Sequence, residues 1–354
     1  MTDTDSKVAF ITGYTGQDGT FLTKLLLEKN YKVVALVRRI STEPPRRVRG
    51  KFDFTDAIKD GQLILEEGDL LSRTSLDRII KKHQPQEIYN LAAQSHVGIS
   101  FKQPEFTIES TFMGVVNLIE SLIANNMVLW RMYQASTSEM FGDKHTEPMN
   151  ELTIFNPNSP YAIAKAAAHY YCQMKRAEGH FISCGILFNH ESEIRGGDFV
   201  TQKIVREVVH RELHDGVILK LGNLDSVRDW GYAGDYVKAM WQMLQHKVPT
   251  DFVIGTGETH TVRQFVEAAL KAMNHTIEWR GEGLAEKGFV NDELFVEVSE
   301  EFYRPVDVNF LKADISKATE ELLWQPTHDF ETLVLLMVRA AVDSTQAALR
   351  AQNG

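Results

Sequence analysis

The chain is poor in cysteine. Cys172 and Cys184 are its only two, and they lack metal-ligand spacing, so no cysteine-built metal cluster is available. Nothing in their usage points to export, and reduced thiols in a cytoplasmic enzyme are the simplest reading. Long apolar runs are also missing. No uninterrupted stretch approaches the ~18 residues that a membrane helix needs. The start, MTDTDSK, has no basic region followed by an apolar one, so no secretory signal is visible. Positive charge is in deficit as well. A net charge of −10 argues against a general nucleic-acid binder, because neutralising phosphates needs a positive surface. One segment opposes that deficit: Arg38, Arg39, Arg46, Arg47, Arg49 and Lys51 lie close together. By itself this is a solvated basic loop.

What the chain does have is enough apolar residue for a full core and a regular alternation of elements. Lys7 to Thr12 is a β-rich run ending in a glycine loop. Phe21 to Asn30 has helical spacing, and Tyr31 to Val37 is again β-type. Strand, loop, helix and strand in that order make the βαβ unit of a parallel sheet. The alternation continues with strands at Gln62 to Leu65, Glu87 to Leu91, Trp130 to Gln134 and Phe181 to Leu187. Helices fall at Ser75 to Lys82, Met113 to Ala124 and Tyr161 to Arg176. The fold class is α/β, a Rossmann-type doubly wound parallel sheet. After Asn189 the pattern loosens. Gly222 to Asp235 reads as loop, Tyr236 to His246 and Val262 to Met273 as helices, and Asp251 to Ile254 as a short strand. Leu284 to Arg304 is charged and poorly periodic. The expected division is a cofactor domain over 1–188, with 224–248 returning to it, and a smaller domain over most of 189–354.

Gly13-Tyr14-Thr15-Gly16-Gln17-Asp18-Gly19 follows a strand and opens a helix. Glycines so placed permit a tight turn, close approach of backbone to a pyrophosphate, and close helix packing. The helix N-terminus then holds the diphosphate of a dinucleotide. A glycine triplet alone is a weak signal, but strand before and helix after strengthen it. NAD binders usually place an acid at the end of the second strand, where this chain has Arg38-Arg39. Guanidinium groups there suit a 2′-phosphate, which favours NADP. Asp69-Leu70, at the end of the third strand, is placed to meet the adenine.

Tyr161 and Lys165 lie four apart on one helix face and can share a site. An ammonium beside a phenol lowers its pKa and makes tyrosine a usable base. Tyr171 and Lys175 match the pattern equally well; company separates the pairs. The run Gln134 to Gly142 (QASTSEMFG) ends a predicted strand upstream of Tyr161. It brings Thr137, Ser138 and Glu139 to the edge where α/β folds bind ligands. Strand-end capping and a surface charge are the plain alternatives for these three. Asn158-Ser159-Pro160 makes a tight entry to the helix carrying Tyr161.

The motifs TGYTGQDGTFL, VRRIS, EEGDL, IYNLAAQSHVGISF, YQASTSEMFG, NSPYAIAKAAA, GILFNHES, LGNLDSVRDWGYAGDYV and FYRPVDV run from Lys7 to about Trp324. Through them the chain resembles the GDP-mannose 4,6-dehydratase family of extended short-chain dehydrogenases/reductases. The resemblance implies NADP contacts from Gly13, Gly16, Gln17, Asp18, Gly19, Arg38, Arg39, Asp69, Leu70, Leu91, Ala93, Gln94, Ser95, Lys165, His190 and Arg195. It implies catalytic roles for Thr137, Glu139 and Tyr161, with Lys165 and Ser138 beside them. Asn189, Lys203, Arg228 and Arg304 would hold the nucleotide sugar. The loop Arg38 to Arg49 is similar to one that reaches a neighbouring subunit in this family, implying a homodimer or homotetramer. No metal, membrane or nucleic acid is implied. The chain departs from the family at Glu193-Ile194-Arg195, where Pro-Arg-Arg is usual, at Gln202, and at Phe106, where a tyrosine usually touches the cofactor.

The implied reaction is dehydration of a GDP-sugar to its 4-keto-6-deoxy form, and a GDP-manno-heptose is the alternative substrate. A 4-reductase or 4-epimerase of the same fold has no need of Glu139. A non-catalytic cofactor sensor usually loses the tyrosine or lysine, and an RNA-associated relative would want a basic surface.

Overall fold

The computed structural model describes residues 6–38, 52–214, 216–302 and 310–352. Arg39, the arginines at 46, 47 and 49, Lys51 and Arg304 lie outside the described residues. Six strands arrive before Phe188: β1 (Val8–Thr12), β2 (Lys32–Val37), β3 (Leu63–Glu67), β4 (Glu87–Asn90), β5 (Arg131–Thr137) and β6 (Phe181–Leu187). With Asp251–Ile254 they form one seven-stranded sheet, ordered Asp251–Ile254, β6, β5, β4, β1, β2, β3. Every pairing in it is parallel. Runs such as VAFIT and FISCGIL are almost wholly buried, as strands covered by helices on both faces must be.

The helices Gln17–Glu28 and Ala233–Gln245 cover one face, packing Leu22, Leu26, Met240 and Met243 against Ala35, Tyr133 and Phe252. On the other face, Arg73–His83, Gly114–Ala124 and Pro160–Ala177 bury Ile79, Leu118 and Cys172 against Phe10, Ile88 and Met132. The chain moves outward from β1 to β2 and β3, then returns to place β4 on the other side of β1. That reversal leaves a crevice beyond the carboxyl ends of β1 and β4, where such sheets take ligands. Thr12 holds the crevice together: its hydroxyl donates to Asn90 Oδ1 (2.6 Å) and accepts from the Leu91 and Ala92 amides (both 3.2 Å).

A second core lies beyond β6. The helices Val200–Arg211, Val262–Ala272 and Phe330–Gln352 enclose Ile204, Trp230, Phe265, Phe330 and Met337. A four-stranded sheet joins them, ordered Glu278–Arg280, Lys287–Val290, Glu293–Val298, Leu219–Leu221. The segment that sequence periodicity leaves unassigned, Leu284 to Arg304, therefore contains an antiparallel hairpin. A register shift at Gly288/Phe289 breaks its alternation, and its turn residues Asn291 and Asp292 both have positive φ. Gly222 to Asp235, expected as loop, carries the short strands Val227–Arg228 and Trp230–Tyr232.

Two helical stretches, Pro104–Ala124 and Phe330–Ala351, are long and apolar enough to cross a membrane by length and composition. Uninterrupted runs do not reveal them because polar residues break each one. Pro104–Ala124 passes through a π-turn at Glu109–Met113 and packs against the helix Pro160–Ala177. Phe330–Ala351 lays Phe330, Leu333, Val334 and Met337 into the second core. Burial of each such side chain contributes about 1.5–3 kcal/mol.

Candidate active site

A cleft of about 760 Å³ opens beyond the ends of β1, β4, β5 and β6, with the second core as its far wall. The glycine loop forms its floor. Gly13 has φ +74°, and a Cβ there would stand 2.8 Å from the Ala92 nitrogen. A Cβ on Gly19 would meet the Gly13 carbonyl at 2.3 Å, so the helix packs directly on the loop. Gly16 is different: a Cβ there would touch only the Gly13 oxygen, at 3.3 Å, and would otherwise enter open space. Gly16 caps the helix Gln17–Glu28 without a side-chain acceptor, which leaves first-turn amides available to an anion. This cradle fits a dinucleotide pyrophosphate.

Of the residues expected at a cofactor, Gly13, Gly16, Gln17, Asp18, Gly19, Leu91, Ala93, Ser95, Lys165, His190 and Arg195 line the cleft. Arg38, Asp69, Leu70 and Gln94 do not. Arg38 is exposed just past β2. Asp69 accepts from the Leu71 amide (2.9 Å), and Leu70 is buried against Gly114. Gln94 spends its amide on the His96 carbonyl and Thr107 hydroxyl, both at 3.1 Å. Phe106 is partly exposed and also lies off the cleft wall.

His190 serves the architecture as well as the cleft. Its Nδ1 meets the Phe188 carbonyl at 2.8 Å, and its Nε2 lies 2.9 Å from the Asp18 carboxylate. Both partners only accept, so both ring nitrogens carry protons. Burial opposes that charge, but the Asp18 carboxylate and its hydrogen bond outweigh burial and raise the imidazole above its ordinary pKa. Burial likewise pushes Asp18 up, and the His190 charge overcomes it and holds the carboxyl below its usual range. Gln17 Nε2 donates to the His190 carbonyl (3.0 Å) and Gln17 Oε1 accepts from Ser192 (2.7 Å). The glycine-loop helix is thus clamped to the strand Asn189–Glu191. Arg195 stacks 3.5 Å over the Phe199 ring and reaches the Glu191 carboxylate at 3.1 Å.

The expected catalytic residues converge. Ser159 caps the helix Pro160–Ala177 by accepting from the Ala162 amide (3.1 Å), with Pro160 opening it. Tyr161 and Lys165 then lie buried on its inner face. Lys165 Nζ donates to the Ala135 carbonyl (2.7 Å) and stands 5.8 Å from the Tyr161 ring centroid. β5 ends at Thr137, whose hydroxyl accepts from the Glu139 amide (3.3 Å) and caps a 3₁₀ turn over Ser138–Phe141. The same hydroxyl lies close enough to the Tyr161 phenol to favour its ionised form. Glu139 is buried, yet no described residue pairs with its carboxylate, and it lines the cleft with Thr137 and Ser138. Tyr171 and Lys175, the competing pair, both bind Glu120 at 2.6 and 2.9 Å, away from the cleft.

One electrostatic expectation changes. Burial raises the Tyr161 phenol, the Thr137 hydrogen bond lowers it, and the Glu139 charge raises it further; the net direction is up. Burial also lowers the Lys165 ammonium to about 8. In the chain alone, desolvation of the phenolate outweighs the help of the Thr137 hydroxyl and the Arg195 charge.

Across the cleft stand Asn189, Lys203 and Arg228. Asn189 Oδ1 is buried with no hydrogen-bond partner among the described residues. Arg228 is buried, with one guanidinium nitrogen donating to the Val227 carbonyl (3.0 Å). Lys203 lies 3.5 Å over the Phe302 ring and donates to the Lys220 carbonyl (2.7 Å). Sequence reasoning passed over Phe199, Lys220 and Asn223, which also line this wall. For Lys220 and Asn223 a signal existed: they flank the end of the short strand Leu219–Leu221, a place where ligands are met.

The family model for GDP-mannose 4,6 dehydratase matches residues 10–337. The GDP-mannose 4,6 dehydratase of Drosophila melanogaster is 44% identical over 96% of this chain and 87% of its own. The protein of that name from Homo sapiens is 44% identical over 95% of this chain and 91% of its own. The chain belongs to the GDP-mannose 4,6-dehydratase family. It is a nucleotide-sugar 4,6-dehydratase, a hydro-lyase. The fold extends further: the UDP-glucose 4-epimerase of Thermotoga maritima, solved with UDP-glucose, superposes with a TM-score of 0.79 at 22% identity. That comparison covers 96% of this chain and 99% of the epimerase.

Proposed function

We propose that this enzyme converts GDP-mannose to its 4-keto-6-deoxy product with NADP as the resident cofactor. The observation that carries this is the buried corner where Tyr161, Thr137 and an unpaired Glu139 face one cleft. A reductase or epimerase needs the first two; only elimination needs a carboxylate beside them.

Gly13, Gly16, Ala93, Ser95 and Lys165 would hold the dinucleotide, and Arg38 with Arg39 would favour a 2′-phosphate. When bound, the nicotinamide supplies an electron-pair acceptor that later gives the pair back. The chain's own groups handle the protons. Tyr161 takes the proton of the sugar C4 hydroxyl while Thr137 hydrogen-bonds the same oxygen. A 4-ketone makes the C5 proton acidic, and Glu139 removes it. Glu139 then protonates the departing C6 hydroxyl, since Ser138 beside it is no acid. The sum is redox-neutral: GDP-mannose gives the 4-keto-6-deoxy sugar and one water. Arg228, Lys203 and Arg304 would pair with the GDP diphosphate. The same reading carries a cytoplasmic homodimer or homotetramer with the Arg38–Arg49 loop at a subunit interface, supported by the family resemblance of that loop.

The test is separate incubation with GDP-mannose and GDP-manno-heptose, with mass spectrometry for loss of one water. Glu139→Gln should abolish product while NADP and GDP binding persist. Turnover of that variant near the wild-type rate rejects the assignment.

A further inference from the structure

The helix Pro160–Ala177 carries a second polar series behind the catalytic pair. Tyr161, Lys165, His169 and Gln173 recur every four residues and so share one face. Each of the last three is tied to the sheet. Lys165 holds the Ala135 carbonyl, His169 Nδ1 lies 2.9 Å from Ser136 Oγ, and Gln173 Nε2 donates to Asp251 Oδ2 (2.8 Å). Asp251 begins the edge strand beside β6 and also pairs with Arg176. His169, Ser136 and Asp251 are all buried, and Phe155 stands edge-on to the imidazole at 5.1 Å. His169, Gln173, Ser136 and Asp251 are not used by the chemistry above.

His169, Cys184 and Asp251 could in principle share a metal ion. The Arg176 guanidinium already bonds Asp251 and lies 3.8 Å from Cys184 Sγ, a cation where an ion would sit. A hydrogen-bond chain suits the cluster better. The Gln173 amide donates to Asp251 Oδ2, and the same nitrogen stands 3.0 Å from His169 Nε2. Burial opposes charge on His169, but its contacts with Cys184 and with Asp251 Oδ2, 3.5 Å from Nε2, outweigh burial and raise the imidazole to about 10, so Nδ1 carries a proton and donates to Ser136 Oγ. Ser136 immediately precedes Thr137 and lines the cleft.

We propose that the Asp251–Gln173–His169–Ser136 chain fixes the register of this helix against the end of β5, making His169 a positioning residue for the Thr137–Tyr161 contact. The helix slides relative to β5 only if the His169–Ser136 bond breaks, and sliding moves the phenol off the hydroxyl it shares with the sugar oxygen. The inference rests on the proposed roles of Tyr161 and Thr137.

His169→Leu removes the donor, whereas His169→Asn keeps an N–H near the Nδ1 position. His169→Leu should lower kcat about ten- to a hundredfold, the range a misplacement near 1 Å produces, with KM for GDP-mannose little changed. His169→Asn should restore most of kcat. Ser136→Ala should match His169→Leu, and the double variant should add nothing further. Equal activity in the two His169 variants, or losses at 136 and 169 that multiply, overturns the proposal. Imidazole ¹⁵N spectra, with His169→Asn for assignment, should show a protonated Nδ1. An Nε2–H tautomer overturns the chain even in an enzyme inactive on GDP-mannose. Absence of wild-type turnover would instead count against the proposed function.

Discussion

Replacing Lys165 with methionine should separate stability from function. The ammonium is buried, and burial lowers it from 10.5 to about 8, a penalty of roughly 3 kcal/mol for holding the charge in the folded chain at neutral pH. Methionine removes that penalty and fills similar space. What it gives up is one hydrogen bond to the Ala135 carbonyl. Gln134 Nε2 also donates to that carbonyl, at 3.0 Å, so the oxygen is not orphaned and the loss is about 1 kcal/mol. The ligand-free variant should therefore be more stable than wild type by roughly 1–2 kcal/mol at pH 7. The sign reverses with pH. Between the folded value of about 8 and the unfolded 10.5, the unfolded wild-type chain binds more protons. Wild type thus gains stability as pH rises through that window, and the variant does not. Urea unfolding at neutral pH and near the top of that window should show the difference shrink and then change sign. Turnover should fall at least a hundredfold, because the ammonium that shares the helix face with the phenol is lost. A variant less stable than wild type at pH 7, or a difference flat across the window, would refute the reasoning.

Two further outcomes follow from the floor of the cleft. Gly13→Ala combines positive φ with a Cβ 2.8 Å from the Ala92 nitrogen, so it should cost more than about 1–2 kcal/mol in urea unfolding and weaken nicotinamide dinucleotide binding in calorimetry; wild-type values for both would sink the cradle argument. Asp18→Asn removes the carboxylate that raises His190, so the imidazole should titrate lower by NMR, at or below its ordinary 6.5. In wild type the His190 contribution is present below 6.5 and lost as pH rises through its raised folded value. The Asp18 contribution is present above 3.8 and lost as pH falls through its depressed one. An unmoved His190 would show that the clamp is not electrostatic.

The parallel sheet was legible because its strands are short apolar runs between turn signals, and burial on both faces makes such runs nearly continuous. The second core was not, and the reasons are local. In Lys287–Val290 and Glu293–Val298 one face is exposed and charged, and the register shift at Gly288/Phe289 moves the apolar positions off a period of two. Asn291-Asp292 was the available sign, since two residues of positive φ between extended runs favour a hairpin turn. The start of the helix at Pro104 was hidden similarly: the π-turn at Glu109–Met113 adds a residue to the repeat and spoils helical spacing there.

The site divides along a comparable line. Tyr161 and Lys165 share a helix face whatever the rest of the chain does, and Thr137 to Glu139 must emerge together at the end of β5. Both facts need only local geometry, so both could be read. Pairings such as His190 with Asp18, or His169 with Ser136 and Asp251, require knowing which turn of a helix faces which residue of a strand. The packing of apolar side chains between the layers sets that register, and no short-range pattern encodes it. His190 illustrates the consequence. Expected as a cofactor contact, it lines the cleft, but both its ring nitrogens are committed to Phe188 and Asp18. One ring face stacks on Tyr236, so only the other face and the carbon edge remain for a ligand, and its influence on a bound dinucleotide must pass through the position and charge of the glycine-loop helix that it holds.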